Sequence, residues 1–143
     1  ALNAVSYYTH LPFFVRNFDL RLTPESAGWA VGHPSGLGEM AGWVRFADGR
    51  PPDTASLPLF ADAFPPPVLN VVGSPWVPTL ELTVHVRARP VDGWLRCRFT
   101  TRFLMQGYLE EDGEIWSRDG VLVAQSRQLA AVLPLPGEPP SLH

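Results

Sequence analysis

Alternation of apolar and polar residues through most of the second half of the chain constrains its fold more than any other feature. Successive side chains of a β-strand point to opposite faces, so each alternating segment predicts a strand with one buried face. Short turns separate four such segments, and the turn at 118–120 contains the Asp-Gly pair that is typical of a hairpin. The four predicted strands are residues 79–88, 94–105, 107–117 and 121–133.

The first half of the chain predicts two further strands, one on each side of a loop. Residues 13–22 alternate in the same way, and residues 39–47 carry spaced apolar anchors. Residues 23–38, which lie between them, concentrate glycine and proline, the residues that favour turns. We therefore predict two strands joined by an irregular loop.

A single helix is predicted at residues 55–64. Asp53 and Thr54 precede it and supply an N-cap, and the three prolines at 65–67 end it. Its apolar residues repeat at the spacing of one helix face. They are Leu57, Phe60, Ala61 and Phe64.

This order of elements predicts an α+β fold. The sheet must bury its apolar face, and the helix is the element available to cover it. A curved antiparallel sheet of about six strands wrapped around one central helix is the hotdog fold. We assign residues 1–12 to a linker or entering arm, 13–133 to the hotdog domain and 134–143 to a flexible tail.

Composition excludes several classes of function. The 143 residues fit one domain, and a net charge of −3 gives no basic field for nucleic acid. The lone Cys97 and four scattered histidines form no metal-ligand pattern, so neither metal nor cofactor is expected. No apolar run reaches the roughly 20 residues that span a bilayer. We expect a cytoplasmic protein without a membrane partner. Because the chain does not begin with Met, we also expect natural sequence upstream of Ala1.

Short motifs in a fixed order resemble the C-terminal half of acyl-CoA thioesterase II-like proteins, which carry two hotdog domains in one chain. The resemblance covers roughly residues 13–133. Each motif is weak alone, and their order and spacing make the set specific. They are Trp43-Val44-Arg45, Leu59-Phe60-Ala61-Asp62-Ala63, Thr79-Leu80-Glu81-Leu82-Thr83-Val84-His85, Gly93-Trp94-Leu95, Gly107-Tyr108, Ile115-Trp116, and Gly120-Val121-Leu122-Val123-Ala124-Gln125-Ser126-Arg127-Gln128.

The resemblance implies a thioester hydrolase that releases free fatty acid and CoA from acyl-CoA. In that family an Asp of the helix, a Thr at the start of the next strand and a Gln late in the last strand hold the hydrolytic water. The matching residues are Asp62, Thr79 and Gln128, with Thr83 as the alternative threonine. A carboxylate can take a proton from water, and hydroxyl and amide groups can orient that water.

Each of these residues also has a structural interpretation. Asp62 could be solvated or paired with an arginine, Gln128 could be an amide bonded to backbone, and Thr79 is an ordinary strand residue. A set of arginines could contact the phosphates of CoA or could form the solvated face of the sheet. They are Arg87, Arg89, Arg96, Arg98 and Arg102.

Two other functions compete with hydrolysis. Hotdog sites form between two hotdog domains, so this chain could be a non-catalytic half that binds acyl-CoA or supports a second hotdog domain. That second domain would come from a homodimer or from an upstream half. A hotdog dehydratase is disfavoured, because such enzymes resemble one another in using an Asp–His pair and the helix at 55–64 has no histidine.

Overall fold

A computed structural model describes residues 2–3, 13–73 and 75–134, and its main element is one antiparallel sheet. Within these residues the strand order is β1-β2-β3-β5-β7-β8-β4, and β6 pairs with β7 beside this path. The strands are β1 (Leu2–Asn3), β2 (Phe18–Leu22), β3 (Glu39–Phe46), β4 (Thr79–Val86), β5 (Leu95–Thr100), β6 (Leu104–Met105), β7 (Tyr108–Trp116) and β8 (Leu122–Ala131).

Three short helices accompany the sheet. They are α1 (Pro24–Ala27), α2 (Leu57–Ala61) and α3 (Leu69–Val72). The predicted helix is therefore present as α2 but is shorter than residues 55–64, because 54–56 form a turn before it. The N-cap of α2 is Ser56, without a side-chain cap, rather than the predicted Asp53 or Thr54. Asp53 instead closes the preceding turn: its Oδ1 accepts the Ser56 amide at 2.8 Å, and its own amide donates to Ser56 Oγ at 2.9 Å.

Helix α2 lies against the buried face of the sheet. Its fully buried Phe60 contacts Phe18 and Phe46, with ring centroids 5.4 and 4.8 Å apart. Phe64, just beyond the helix, packs on Phe99 of β5 at 5.0 Å. Aromatic burial of this kind contributes a large share of the hydrophobic stabilisation of a small domain. The core therefore sits between α2 and the sheet, as the sequence pattern predicts.

All six predicted strands are shorter in the structure, and two of them differ most from the prediction. Residues 13–17 form a 3-10 helix, in which the Asn17 side chain donates to the Phe14 carbonyl at 3.0 Å, so β2 begins only at Phe18. The strand predicted at 94–105 divides into β5 and β6. Between them Glu110 accepts the amides of Arg102 and Phe103, each at 2.7 Å, which takes these groups out of the strand ladder.

The segment predicted as a loop at 23–38 contains local helical structure. Thr23 caps α1 by accepting the Ser26 amide at 3.3 Å, and residues Gly28–Val31 continue as a 3-10 helix. Buried Asn70 holds the segment in place, because its Nδ2 donates to the Ser26 carbonyl at 3.1 Å. The Thr23 hydroxyl and the Asn70 amide thus form hydrogen bonds with backbone groups of this segment that have no partner in a helix or strand.

The predicted arm and tail lie mostly outside the described residues. Leu2–Asn3 forms β1 on β2, so at least this part of the arm is a strand. Residues 4–12 and 135–143 lie outside the description. Among the helices that are described, none has the length and apolarity required to cross a bilayer.

Candidate active site

One pocket contains all three residues that the sequence singles out. Asp62, Thr79 and Gln128 line a cavity of about 440 Å³ together with Glu111. Its walls are otherwise largely apolar and include Phe14, Ala61, Phe64 and Val77. A mostly apolar cavity with a few convergent polar groups is typical of a small-molecule site.

Asp62 stands at the C-terminal end of α2. The residue leaves helical geometry there, with φ −110° and ψ 5°, and its amide donates to the Leu59 carbonyl at 3.2 Å. Its neighbours Ala61 and Ala63 are buried, whereas Asp62 itself is exposed at the pocket. Loss of hydration in this position raises the pKa of its carboxyl group above the ordinary value.

Gln128 projects into the pocket from β8 and is buried. It pairs with Leu82 of β4 on one side and Glu111 of β7 on the other. Directly opposed residues on neighbouring strands share a face of the sheet, so Glu111 and Gln128 point the same way. The Gln128 Nε2 group donates a hydrogen bond to the Thr79 hydroxyl. The amide therefore has a side-chain partner inside the pocket.

Thr79 reaches the pocket because β4 is irregular. Strict alternation places it on the face opposite Leu82, but the register shifts between Thr79 and Glu81. Such a bulge moves a side chain to the other face of a strand. The alternative threonine, Thr83, is exposed and donates to the Glu81 carboxylate instead. The structure therefore brings Thr79, rather than Thr83, to Gln128.

Glu111 is a pocket residue that the sequence analysis missed. Only 7% of it is exposed, and its carboxyl group has a pKa raised to about 8. Burial is the main cause, followed by the negative charges of Asp62 and Glu110. Alternation could have found it, since Leu109, Glu111 and Ile115 occupy inward positions of β7. A glutamate at a position where alternation predicts a buried apolar residue indicates a candidate functional carboxyl group.

Groups that could support other chemistries are distributed elsewhere. No three His, Cys, Asp or Glu residues among those described are placed to hold a metal ion. The Cys97 thiol lies in the core, where burial raises its pKa. None of the five arginines considered for CoA lines this pocket in the described part of the chain. Arg96 instead faces a separate groove of about 800 Å³ on the opposite, outer face of the sheet.

Comparison with known proteins supports the resemblance noted in the sequence. The family of acyl-CoA thioesterase C-terminal domains matches residues 2–132. A candidate thioesterase II of Thermobifida fusca is 40% identical, with a TM-score of 0.76 over 83% of this chain. A hotdog-fold protein of unknown function from Alicyclobacillus acidocaldarius is 25% identical, with a TM-score of 0.73 over 87% of this chain.

This chain spans less than half the length of the relatives named here. It covers 47% of the Thermobifida fusca structure and 47% of the Alicyclobacillus acidocaldarius structure. An uncharacterized protein of Mycobacterium tuberculosis is 39% identical over 90 residues, which are 63% of this chain and 31% of that protein. The fold is the predicted hotdog fold, and the chain belongs to the family of acyl-CoA thioesterase C-terminal domains.

Proposed function

We propose that this domain contributes to an acyl-CoA thioesterase, in which Asp62, Thr79 and Gln128 hold the water that cleaves the thioester. The observation that carries the proposal is their meeting in one pocket, although they come from the end of α2, from β4 and from β8. These three residues are distant in sequence and together supply a carboxylate, an amide and a hydroxyl group. Such a set of converging polar groups is suited to activating a water molecule. The apolar walls beside them suit a fatty acyl chain.

Each residue has a distinct part in the proposed hydrolysis. Asp62 accepts a proton from water as that water attacks the thioester carbonyl. The amide of Gln128 fixes the water, and its hydrogen bond to Thr79 fixes the amide. Holding the nucleophile in place makes the attack nearly intramolecular. Collapse of the tetrahedral intermediate releases free fatty acid and CoA.

A second hotdog domain is part of the proposal. Strand β4 pairs with β8 along one edge, and no other strand among the described residues pairs with its opposite edge. Leu80 and Val86 on this strand are 56% and 46% exposed. A long apolar strand edge is an aggregation hazard unless another surface covers it. We propose that a second hotdog domain, from a homodimer or from an upstream half of the protein, covers this edge.

The direct test is to replace Asp62 with Asn and measure CoA release from acyl-CoA substrates of increasing chain length. We expect kcat to fall by about 10²- to 10⁴-fold, since the amide cannot accept the proton. Asp119→Asn, in the exposed turn after β7, is the matched control and should retain full activity. A protein at its natural length that releases no CoA from any acyl chain would contradict the proposal.

The second candidate function is a non-catalytic half that binds acyl-CoA. It is favoured by the exposure of Asp62 and Thr79 in this domain, since a catalytic carboxylate normally works in a water-excluded site. Measuring acyl-CoA binding beside hydrolysis separates the two. Binding that is unaffected by Asp62→Asn, without turnover, would favour the non-catalytic half.

A further inference from the structure

A second carboxyl group lies in the pocket and has no part in the water site proposed above. Glu111 is inward-facing on β7, almost fully buried, and opposite Gln128. Among the described residues, none donates a hydrogen bond to its carboxyl group. A carboxyl group that is largely removed from water disfavours its charged form, and carboxyl groups perturbed in this way are concentrated at functional sites.

The surroundings of Glu111 keep it protonated. Asp62 from the end of α2 and Glu110 on the same strand are the charged groups that act on it, and both are negative. Strands β8 and β4 contribute Gln128 and Thr79 to the pocket, and neither side chain titrates. With the Glu111 pKa raised to about 8, this carboxyl group carries its proton at neutral pH.

The two carboxyl groups of this pocket have different environments. Asp62 is exposed at the pocket and is desolvated less, whereas Glu111 is nearly inaccessible. The two are electrostatically coupled, so the pair takes up its protons in sequence. Different environments separate the pKa values of two carboxyl groups, so that one can act as the base and the other as the acid.

We propose that Glu111 is the general acid of the reaction and donates its proton to the sulfur of the departing CoA thiolate. This inference rests on the thioesterase function proposed above and adds a residue to its site. The other polar side chains of the pocket, Thr79 and Gln128, are too weakly acidic for this role. Cys97 is in the core and does not line the pocket.

The proton balance closes with the groups present. As the water oxygen bonds to the carbonyl carbon, one water proton passes to Asp62. The carbon–sulfur bond then breaks, its electron pair goes to sulfur, and the Glu111 proton joins the sulfur to give the free thiol. The acid product keeps the second water proton. Proton transfer from Asp62 to Glu111 through solvent in the emptied pocket restores the starting state.

The test compares two leaving groups in Glu111→Gln, which keeps the size and neutrality of the protonated side chain. The thiolate of CoA is a poor leaving group and benefits from protonation as it departs. The 4-nitrothiophenolate that leaves from an activated thioester of the same acid needs no such help, because 4-nitrothiophenol is far more acidic than CoA. We expect kcat/KM of Glu111→Gln to fall by about 10²-fold or more on acyl-CoA and by less than about 5-fold on the activated thioester. Asp62→Asn should lose activity on both.

Glu114→Gln is the matched control, because Glu114 lies on the same strand and points to the outer face. It should leave both rates unchanged. An equal loss on the two substrates in Glu111→Gln, or no loss on either, would overturn the role of Glu111 while the thioesterase function stands. Absence of hydrolysis in the wild-type protein would overturn both proposals.

A measurement on the wild-type protein keeps the proposal testable if Glu111→Gln does not fold. The rate on acyl-CoA should decline above a pH of about 8, where Glu111 loses its proton. The rate on the nitrothiophenyl thioester should show no such decline. Identical alkaline limbs for the two substrates would overturn the assignment.

Discussion

Glu111 and Asp112 are consecutive residues of β7 that face opposite sides of the sheet and titrate in opposite directions. Inward-facing Glu111 has its pKa raised by burial, whereas outward-facing Asp112 has its pKa lowered. The cause at Asp112 is Arg127, whose Nε and Nη2 groups each donate to the carboxylate at 2.7 Å. These two neighbouring carboxyl groups thus have pKa values shifted in opposite directions, because one faces the buried side of the sheet and the other faces a paired arginine.

The outer face repeats this pattern of compensated charge. An Nη2 atom of Arg45 lies 3.0 Å from a carboxylate oxygen of Asp19, and the same guanidinium group lies over the Trp94 ring, 4.4 Å from its centroid. An Nη2 atom of Arg98 likewise lies 3.0 Å from a carboxylate oxygen of Glu39. Exposed pairs such as these add little stability individually. The pocket, by contrast, keeps two carboxyl groups close together without a cation among the residues that line it. The carboxyl groups on the inner face therefore lower the stability of the fold, whereas those on the outer face are paired with arginines and do not.

The largest effect should come from the apolar part of the inner face. Phe60→Ala removes a fully buried ring that contacts two other aromatic rings and should lower the free energy of unfolding by about 3–5 kcal/mol. Leu59→Ala, one residue away on α2 but 44% exposed, is the matched control. Urea unfolding should show a much smaller loss for Leu59→Ala. Comparable losses would contradict the placement of the core.

A smaller effect should come from the buried carboxyl group. Because folding raises the Glu111 pKa from 4.5 to about 8, the folded protein binds more protons than the unfolded chain between these values, so stability falls as pH rises. The decline from pH 5 to pH 8 should be about 3 kcal/mol in the free energy of unfolding.

Glu111→Gln should remove most of that dependence and be more stable than the wild type at pH 8. Urea unfolding of both proteins across this pH range provides the measurement. A wild-type protein whose stability does not change between pH 5 and pH 8 would contradict the raised pKa of the buried Glu111 carboxyl group.

The smallest effect should come from the outer carboxylate. Folding lowers the Asp112 pKa below 3.8, so the pair with Arg127 stabilises the protein above that pH and is lost as the pH falls through the folded value. Asp112→Asn should therefore cause a slight loss of stability at neutral pH that vanishes in acid. Since salt screens exposed charges, the loss should also shrink at high ionic strength. A loss as large as that of Phe60→Ala would contradict the contrast between the two faces.

Local pattern was enough to predict much of the fold. Period-two alternation located β4, β5, β7 and β8, because burial of one face imposes that period on any strand. Helical spacing located α2 and the residues that it buries. The boundaries were less predictable: β5 ends early because Glu110, ten residues beyond its last residue, binds the intervening amides. No local pattern records such a partner.

The site divides in the same way. The sequence by itself determined the family and, through motif resemblance, the three residues Asp62, Thr79 and Gln128, whose catalytic role stays a prediction. The domain limits drawn from the sequence also stay a prediction. Tertiary structure alone decided that Thr79 rather than Thr83 turns inward, because a bulge in β4 changes the face of one residue. It alone also showed Glu111 buried near Asp62, because cross-strand register brings residues distant in sequence into one pocket.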